Sequence, residues 1–366
     1  VLLVPIVLLA LLLGFAAHRA SVCAVRAVAE AAHARTLYML ASMVKSSLWV
    51  MLVLAAVLWQ APGALAGFGG WALTGGAVLG GLAFGFGAGI NGACAYSTMA
   101  RLVDGEGGML ATIAGFALGI AAFLALNDAG WLARPSQAPA ALPALVETAA
   151  GTTQAALLLP LALLALVAAW EIRRLWRRRP AGSGLRALLL APQYRLSTAA
   201  LLIGLAAALL AFLAGPSGYS ATFGLLIEAG LGLRDPPAAA RWLVLAAVLA
   251  GMALSTLQRG SFRPDWRPRR AWLRNLLGGG FMGLGVALTP GGNDALILYG
   301  LPGLSPHALP ALAAMLLGIA VGLALARLLF GFRMRVLCRD DLFVSDGPGP
   351  RQSSPSAAAG SGSSAA

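Results

Sequence analysis

The chain has 366 residues, 59% hydrophobic and only 11% charged, with a mean hydropathy of +0.83. Soluble domains carry about 25% charged residues, so this composition excludes an ordinary soluble enzyme and indicates an all-α polytopic membrane protein. The formal net charge of +13 raises the question of nucleic acid, but the basic residues sit in short loops between apolar runs, the positive-inside pattern, and nucleic-acid binding is set aside.

Windows long enough to cross about 30 Å of hydrocarbon fall near residues 2–18, 37–59, 71–91, 108–127, 150–170, 197–214, 240–257, 275–290 and 307–326, which gives nine expected spans. The first apolar run lacks a basic flank and a clear small-residue cleavage site, and reads as the first span rather than a signal peptide. Shorter apolar pieces after Cys94, at Tyr219 to Leu233 and after Gly292 are candidates for half-membrane helices. The Ser-, Gly-, Ala- and Pro-rich tail, 346–366, has no apolar periodicity and is expected to be disordered. The division expected is one transmembrane domain over 1–345, with repeat one at 2–127, a connector helix at 150–180 and repeat two at 197–330.

Arginines set the orientation. Arg173, Arg174, Arg177, Arg178, Arg179, Arg186 and Arg195 follow the fifth window, and Arg259, Arg263, Arg267, Arg269, Arg270 and Arg274 follow the seventh. Both loops are expected in the cytoplasm. Counting outward puts the N-terminus outside and the C-terminus inside, with Arg19, Arg26 and Arg35 and the end of the ninth span on the inner side.

The stretch from Gly85 to Arg101 concentrates glycines ahead of Cys94 and reads as a break in an apolar helix. Non-helical backbone at membrane depth is tolerated where it is buried in protein or lines a polar cavity, so the break is expected to line a path. A shift of 198 residues lays Gly283 over Gly85, Gly285 over Gly87, Gly292 over Cys94 and Glu228 over Glu30. One shared offset over separate regions argues for internal duplication. With an odd connector span the two halves enter the membrane in opposite directions, and inverted repeats that meet at paired broken helices place a substrate site near the midplane.

The candidate pathway residues follow from this. Cys94 stands where a helix begins after the break, so free N–H groups and the positive dipole end face an anion there; the alternative is a small buried residue in a tight contact. Cys23, between Arg19 and Arg26, is either part of an anion-holding mouth or an incidental thiol beside positive-inside arginines. Cys338 reads as incidental. Three cysteines so spaced make neither a disulfide framework nor a zinc site, and no metal or cofactor is expected. Lys45, the sole lysine, lies within the second span: it either offsets the desolvation of an anion or snorkels to the interface. Asn293 and Asp294 fall at the second break. A carboxylate there opposes an anion path and suits proton or cation coupling, while capping the following short helix is its plain structural role.

The run ending in Asn91, Gly92, Ala93 and Cys94, its partner from Gly278 to Gly285 with Gly291, Gly292 and Asn293, and the early His18 to Cys23 segment together resemble the YeeE/YedE family of bacterial inner-membrane sulfur-compound permeases. The resemblance covers most of residues 10–330. It implies an hourglass-shaped transporter for a thiosulfate-like anion, relayed by S–H hydrogen bonds from cysteines in both halves. The chain departs from the pattern where the family has Gly-Gly-Cys: here Gly291 and Gly292 follow Pro290, and no cysteine lies between Cys94 and Cys338.

The leading expectation is a permease, not an enzyme, for a small sulfur-containing anion in the lipid bilayer. A nucleotide-binding loop of the Gly-x-x-x-x-Gly-Lys type is absent from the sequence. The alternatives are a membrane sulfur carrier, with a persulfide on Cys94 unloaded by a cytoplasmic sulfur-carrier protein, a transporter-derived protein for another small solute, and a scaffold that has lost transport.

Overall fold

The computed structural model describes residues 2–60, 70–138, 154–177, 191–216, 218–232, 235–267 and 269–345. The first half supplies α1 (Leu3–Ala20), α2 (Ala24–His33), α3 (Tyr38–Gln60), α4 (Gly75–Asn91), α5 (Ala95–Val103) and α6 (Met109–Asp128). Helix α7 (Gln154–Arg177) connects it to α8 (Leu196–Ala214), α9 (Tyr219–Gly230), α10 (Ala239–Arg259), α11 (Arg270–Leu288), the short α12 (Asn293–Ala295), which continues as a π turn over Leu296–Gly300, and α13 (Ala308–Phe330). Each expected span falls on a helix, and each expected half-membrane piece falls on a short one. The expected tail, 346–366, lies outside the described residues, as does part of the connector region.

Seven helical segments among the described residues are long and apolar enough to cross a membrane: Leu3–His33, Tyr38–Gln60, Gly75–Val103, Met109–Asp128, Leu196–Ala214, Ala239–Arg259 and Ala308–Phe330. The protein is an all-α polytopic membrane protein. Two of the nine expected spans, 150–170 and 275–290, fall on α7 and α11, which are not among the seven; α11 carries Arg270, Arg274, Asn275 and five glycines, but it is packed between α4 and α6.

The packing comes in exchanged pairs. Helix α4 packs on α13 as α11 packs on α6; α1 packs on α10 as α8 packs on α3; α1 meets α8 and α4 meets α11. Glycine makes the closest of these approaches possible. A Cβ on Gly85 would overlap the Met315 carbonyl and one on Gly81 the Ala311 carbonyl, while in the other half Gly283 lies on the Phe116 carbonyl and Gly279 on that of Thr112. In lipid, helix association rests on such close backbone contact, because burying apolar surface gains little there.

This corrects the reading of the glycine run. Helix α4 continues through Gly85, Gly87 and Gly89 without interruption and ends only at Gly92, whose φ is +75°. Those glycines do not line an opening; backbone from α11 and α13 fills the space beside them. The break is confined to Gly92, Ala93 and Cys94.

A feature not foreseen from the sequence closes the described chain: β3 (Val336–Arg339) and β4 (Leu342–Ser345) form an antiparallel hairpin. It is tied to the start of α8, where the Leu196 amide donates to the Asp341 carbonyl (2.8 Å) and the Ser197 hydroxyl donates to the Asp341 carboxylate (3.0 Å). A second short ladder pairs β1 (Gly70–Trp71) with β2 (Gln137–Ala138) at the opposite end of the helices.

Candidate functional site

Two helix starts converge on two thiols. Helix α1 ends at Ser21 in the left-handed region, with φ +54°, and the extended Cys23 then caps α2. Helix α4 ends at Gly92, and the extended Cys94 caps α5. The sulfurs of Cys23 and Cys94 stand 3.6 Å apart, within S–H···S distance, and both residues are fully enclosed and unoxidised. Cys23 is the N-cap of α2 and Cys94 that of α5. The thiols therefore sit in the converging positive ends of α2 and α5.

Asn91 holds this break in shape. Its amide donates to the Ala93 carbonyl (2.9 Å) and to Thr98 (3.1 Å), and its oxygen accepts from the Thr112 hydroxyl (2.9 Å). At Gly92 the Phe332 ring closes the space: a Cβ there would lie 2.6 Å from it.

Different chemistry stands at the starts of α9 and α12. Gly218 caps α9 where Cys23 caps α2, and Gly292 caps α12 where Cys94 caps α5. Asp294 bridges the pair. It accepts from the Ser220 amide (3.1 Å) and, by a short contact, from the Ser220 hydroxyl, and that hydroxyl oxygen accepts from the Gly292 amide (2.8 Å). The absent Gly292 side chain leaves no gap, since a Cβ would meet the Phe84 ring at 2.8 Å and Ser220 Oγ at 2.9 Å.

Tyr96 and Tyr219 join the two stations, with ring centroids 5.3 Å apart; the Tyr96 hydroxyl donates to the Gly14 carbonyl (3.0 Å). Both rings line a cavity of about 50 Å³ with Asn293, Asp294 and Ser46. Among the described residues, Asn293 Oδ1 is buried without a hydrogen-bond partner. A space of that size holds a few waters, at about 15 Å³ each, so the chain between the stations is occluded. Beyond Gly218 lies a vestibule of about 450 Å³ whose lining includes Trp71, Arg241, Pro290, Tyr299 and His307. A second space of about 520 Å³ adjoins it and adds Arg134 and Glu228. Burial holds the His307 imidazole below its usual range, against a smaller opposing effect of the Trp71 backbone, so at neutral pH the vestibule's positive charge comes from its arginines.

The remaining candidates sit elsewhere. Lys45 is held by Glu171 (2.7 Å) and Ser197 (2.7 Å). Arg19 donates to Ser255 (3.1 Å) and by short contacts to the Ala191 carbonyl and Gln258, and it stacks on Phe15. Glu30 caps α3, accepting from Thr36 and from the amides of Tyr38 and Met39, while Glu228 lines the outer space. Cys338 lies against Glu30, and burial together with that carboxylate pushes its thiol up to about 12; it is un-ionised at neutral pH. The sequence reading missed Gly218, Tyr219, Ser220 and Phe84. The offset between the halves changes from 198 at Cys94 and Gly292 to 195 at Cys23 and Gly218, so a single shift could not register both stations.

The comparison with curated proteins returns no match. Residues 19–321, which contain both thiols and both helix breaks, match the family described as sulphur transport. The chain belongs to that family, the YeeE/YedE sulfur transporters, and its role is the transport of a sulfur compound across a membrane.

Proposed function

We propose that the protein is a permease that carries a small thiosulfate-like anion intact, with Cys23 and Cys94 as the thiol station on its path. The observation that carries this reading is the pair of sulfurs 3.6 Å apart at the converging N-termini of α2 and α5. Thiols and backbone N–H groups together offer soft and charge-complementary donors to a sulfur oxyanion, without placing a full cation in the bilayer. The exchanged helix contacts support two inverted repeats, about 2–127 and 197–330, around the connector. The arginine-rich loops support a cytoplasmic C-terminus in a bacterial inner membrane. An anion would enter through the Arg241 vestibule, pass Gly218 and the tyrosines, reach the thiols and leave past Arg26.

The test is uptake of radiolabelled thiosulfate into sulfur-starved cells lacking their own carriers, with the parent compared to Cys94→Ala and Cys23→Ala at matched membrane expression. Uptake by the parent, reduced at least about tenfold in either variant, is the expected result; that factor corresponds to about 1.4 kcal/mol. A well-expressed parent that takes up no thiosulfate sinks the substrate assignment. Uptake unchanged in both variants removes the thiols from the path.

A further inference from the structure

We propose that Asp294 is a proton-binding site that couples passage of the anion to proton movement, an inference that rests on the transport reading above. The position is the counterpart of the thiol station: the caps Cys23 and Cys94 of the first half correspond to Gly218 and Gly292, and the side chains that fill the second station are Ser220 and Asp294. An ionisable carboxyl stands there in place of a thiol.

Its carboxyl stands in the first turn of α12 but has no counter-ion of full charge beside it among the described residues. Asp294 is 2% exposed, and among the described residues its side chain is bound by Ser220, through one hydroxyl and one amide. In the adjoining cavities it shares the lining with Tyr219 from α9, Tyr96 from α5 and Tyr299 from the π turn, and the Tyr96 and Tyr219 rings pack together. The α1, α3, α8 and α10 sides of the adjoining cavities present Leu13, Ser46, Leu210 and Val248. Arg241 lines the vestibule across Gly218, and Lys45 is neutralised by Glu171. An anion moving from the vestibule to the thiols passes this carboxyl in a poorly screened interior, where two like charges repel strongly. Protonation removes the repulsion. Serine suits both states, because its hydroxyl donates to a carboxylate and its oxygen accepts from a carboxylic acid.

The step is a binding equilibrium without redox change: one proton joins Asp294 from the vestibule side, the anion passes, and the proton leaves on the thiol side. The unpartnered Asn293 Oδ1, in the same cavity, offers an acceptor for water or for the proton-bearing group as it moves.

The experiment uses the purified full chain. In detergent, infrared spectra read the C=O band of a protonated buried carboxyl. The band is expected in the parent at neutral pH and absent in Asp294→Asn; its absence from the parent across the pH range that the protein tolerates overturns the proton site whatever the transport result. In proteoliposomes, thiosulfate uptake by the parent is expected to rise at least fivefold under an inward proton gradient and to fall back with a protonophore. Asp294→Asn is expected to lose the response of uptake to the gradient. Ser220→Ala, which keeps the carboxyl, is expected to shift the pH midpoint of exchange, and this readout holds if the Asp294 variant does not fold. Active uptake that ignores the gradient, or an Asp294→Asn response equal to the parent's, overturns the coupling alone. A folded parent that exchanges no sulfur oxyanion at any pH overturns the transport reading, and the coupling with it.

Discussion

Gly292 and Phe84 share one space: a Cβ on Gly292 would lie 2.8 Å from the Phe84 ring, and Phe84 is fully buried. The ring fills the volume that a second-half cysteine would need. Restoring that cysteine is therefore expected to overpack the site. Gly292→Cys should lose about 1–3 kcal/mol of stability in detergent, and Gly292→Cys with Phe84→Leu should recover part of it. Thermal unfolding checks this, and a single variant as stable as the parent would show the ring elsewhere.

The sulfurs of Cys23 and Cys94 need to close from 3.6 Å to about 2.05 Å to form a disulfide. Mild oxidant is expected to bridge them, removing two free thiols by mass spectrometry and stopping uptake until a reductant is added. Cys338, held un-ionised at neutral pH by burial and Glu30, should stay unmodified. Uptake that persists in a fully bridged sample would place the route away from these thiols.

Lys45 acts as the partner of Glu171, whose side chain is only 5% exposed. Lys45→Met leaves that carboxylate with only the longer Arg174 contact (3.4 Å) and should cost less than the roughly 3–5 kcal/mol of a buried pair broken outright. Adding Glu171→Gln should restore most of the loss. If Lys45 instead contacts the anion, Lys45→Met will raise the KM for uptake with little change in melting temperature.

Asp104 joins the ends of α1 and α10: it pairs with His18 (3.2 Å) and accepts from Thr256 (2.9 Å) and Ser261 (2.7 Å). Burial pushes its carboxyl up, but those hydrogen bonds and the His18 charge outweigh burial and hold it below the ordinary 3.8. A carboxyl whose pKa is lower folded than unfolded stabilises the fold above its unfolded value and stops doing so as the pH falls through its folded value. The melting temperature of the parent should thus exceed that of Asp104→Asn at pH 5 and converge with it below about pH 4, with the margin at pH 5 worth about 2 kcal/mol. A margin that grows on acidification would contradict this.

Apolar run length carried much of the architecture in the sequence. Spans and half-helices were legible because a bilayer demands about 20 apolar residues per crossing, and that demand is local. The glycine run was legible as unusual but not in its role: only the facing Met315 and Ala311 carbonyls on α13 show that Gly85 and Gly81 serve close packing within an unbroken α4. The C-terminal hairpin was invisible because its anchor, Ser197 on Asp341, joins residues 144 apart in sequence.

Cysteine position, arginine placement and the matched glycines were determined by sequence alone, and they give a membrane protein of the sulphur transport family with thiols at helix starts. Tertiary structure alone decided that Cys23 meets Cys94, that Lys45 belongs to Glu171, and that Ser220 and Asp294 occupy the second station. Each of these contacts joins residues far apart in the sequence, and side-chain partners so separated are chosen by packing rather than by any local pattern.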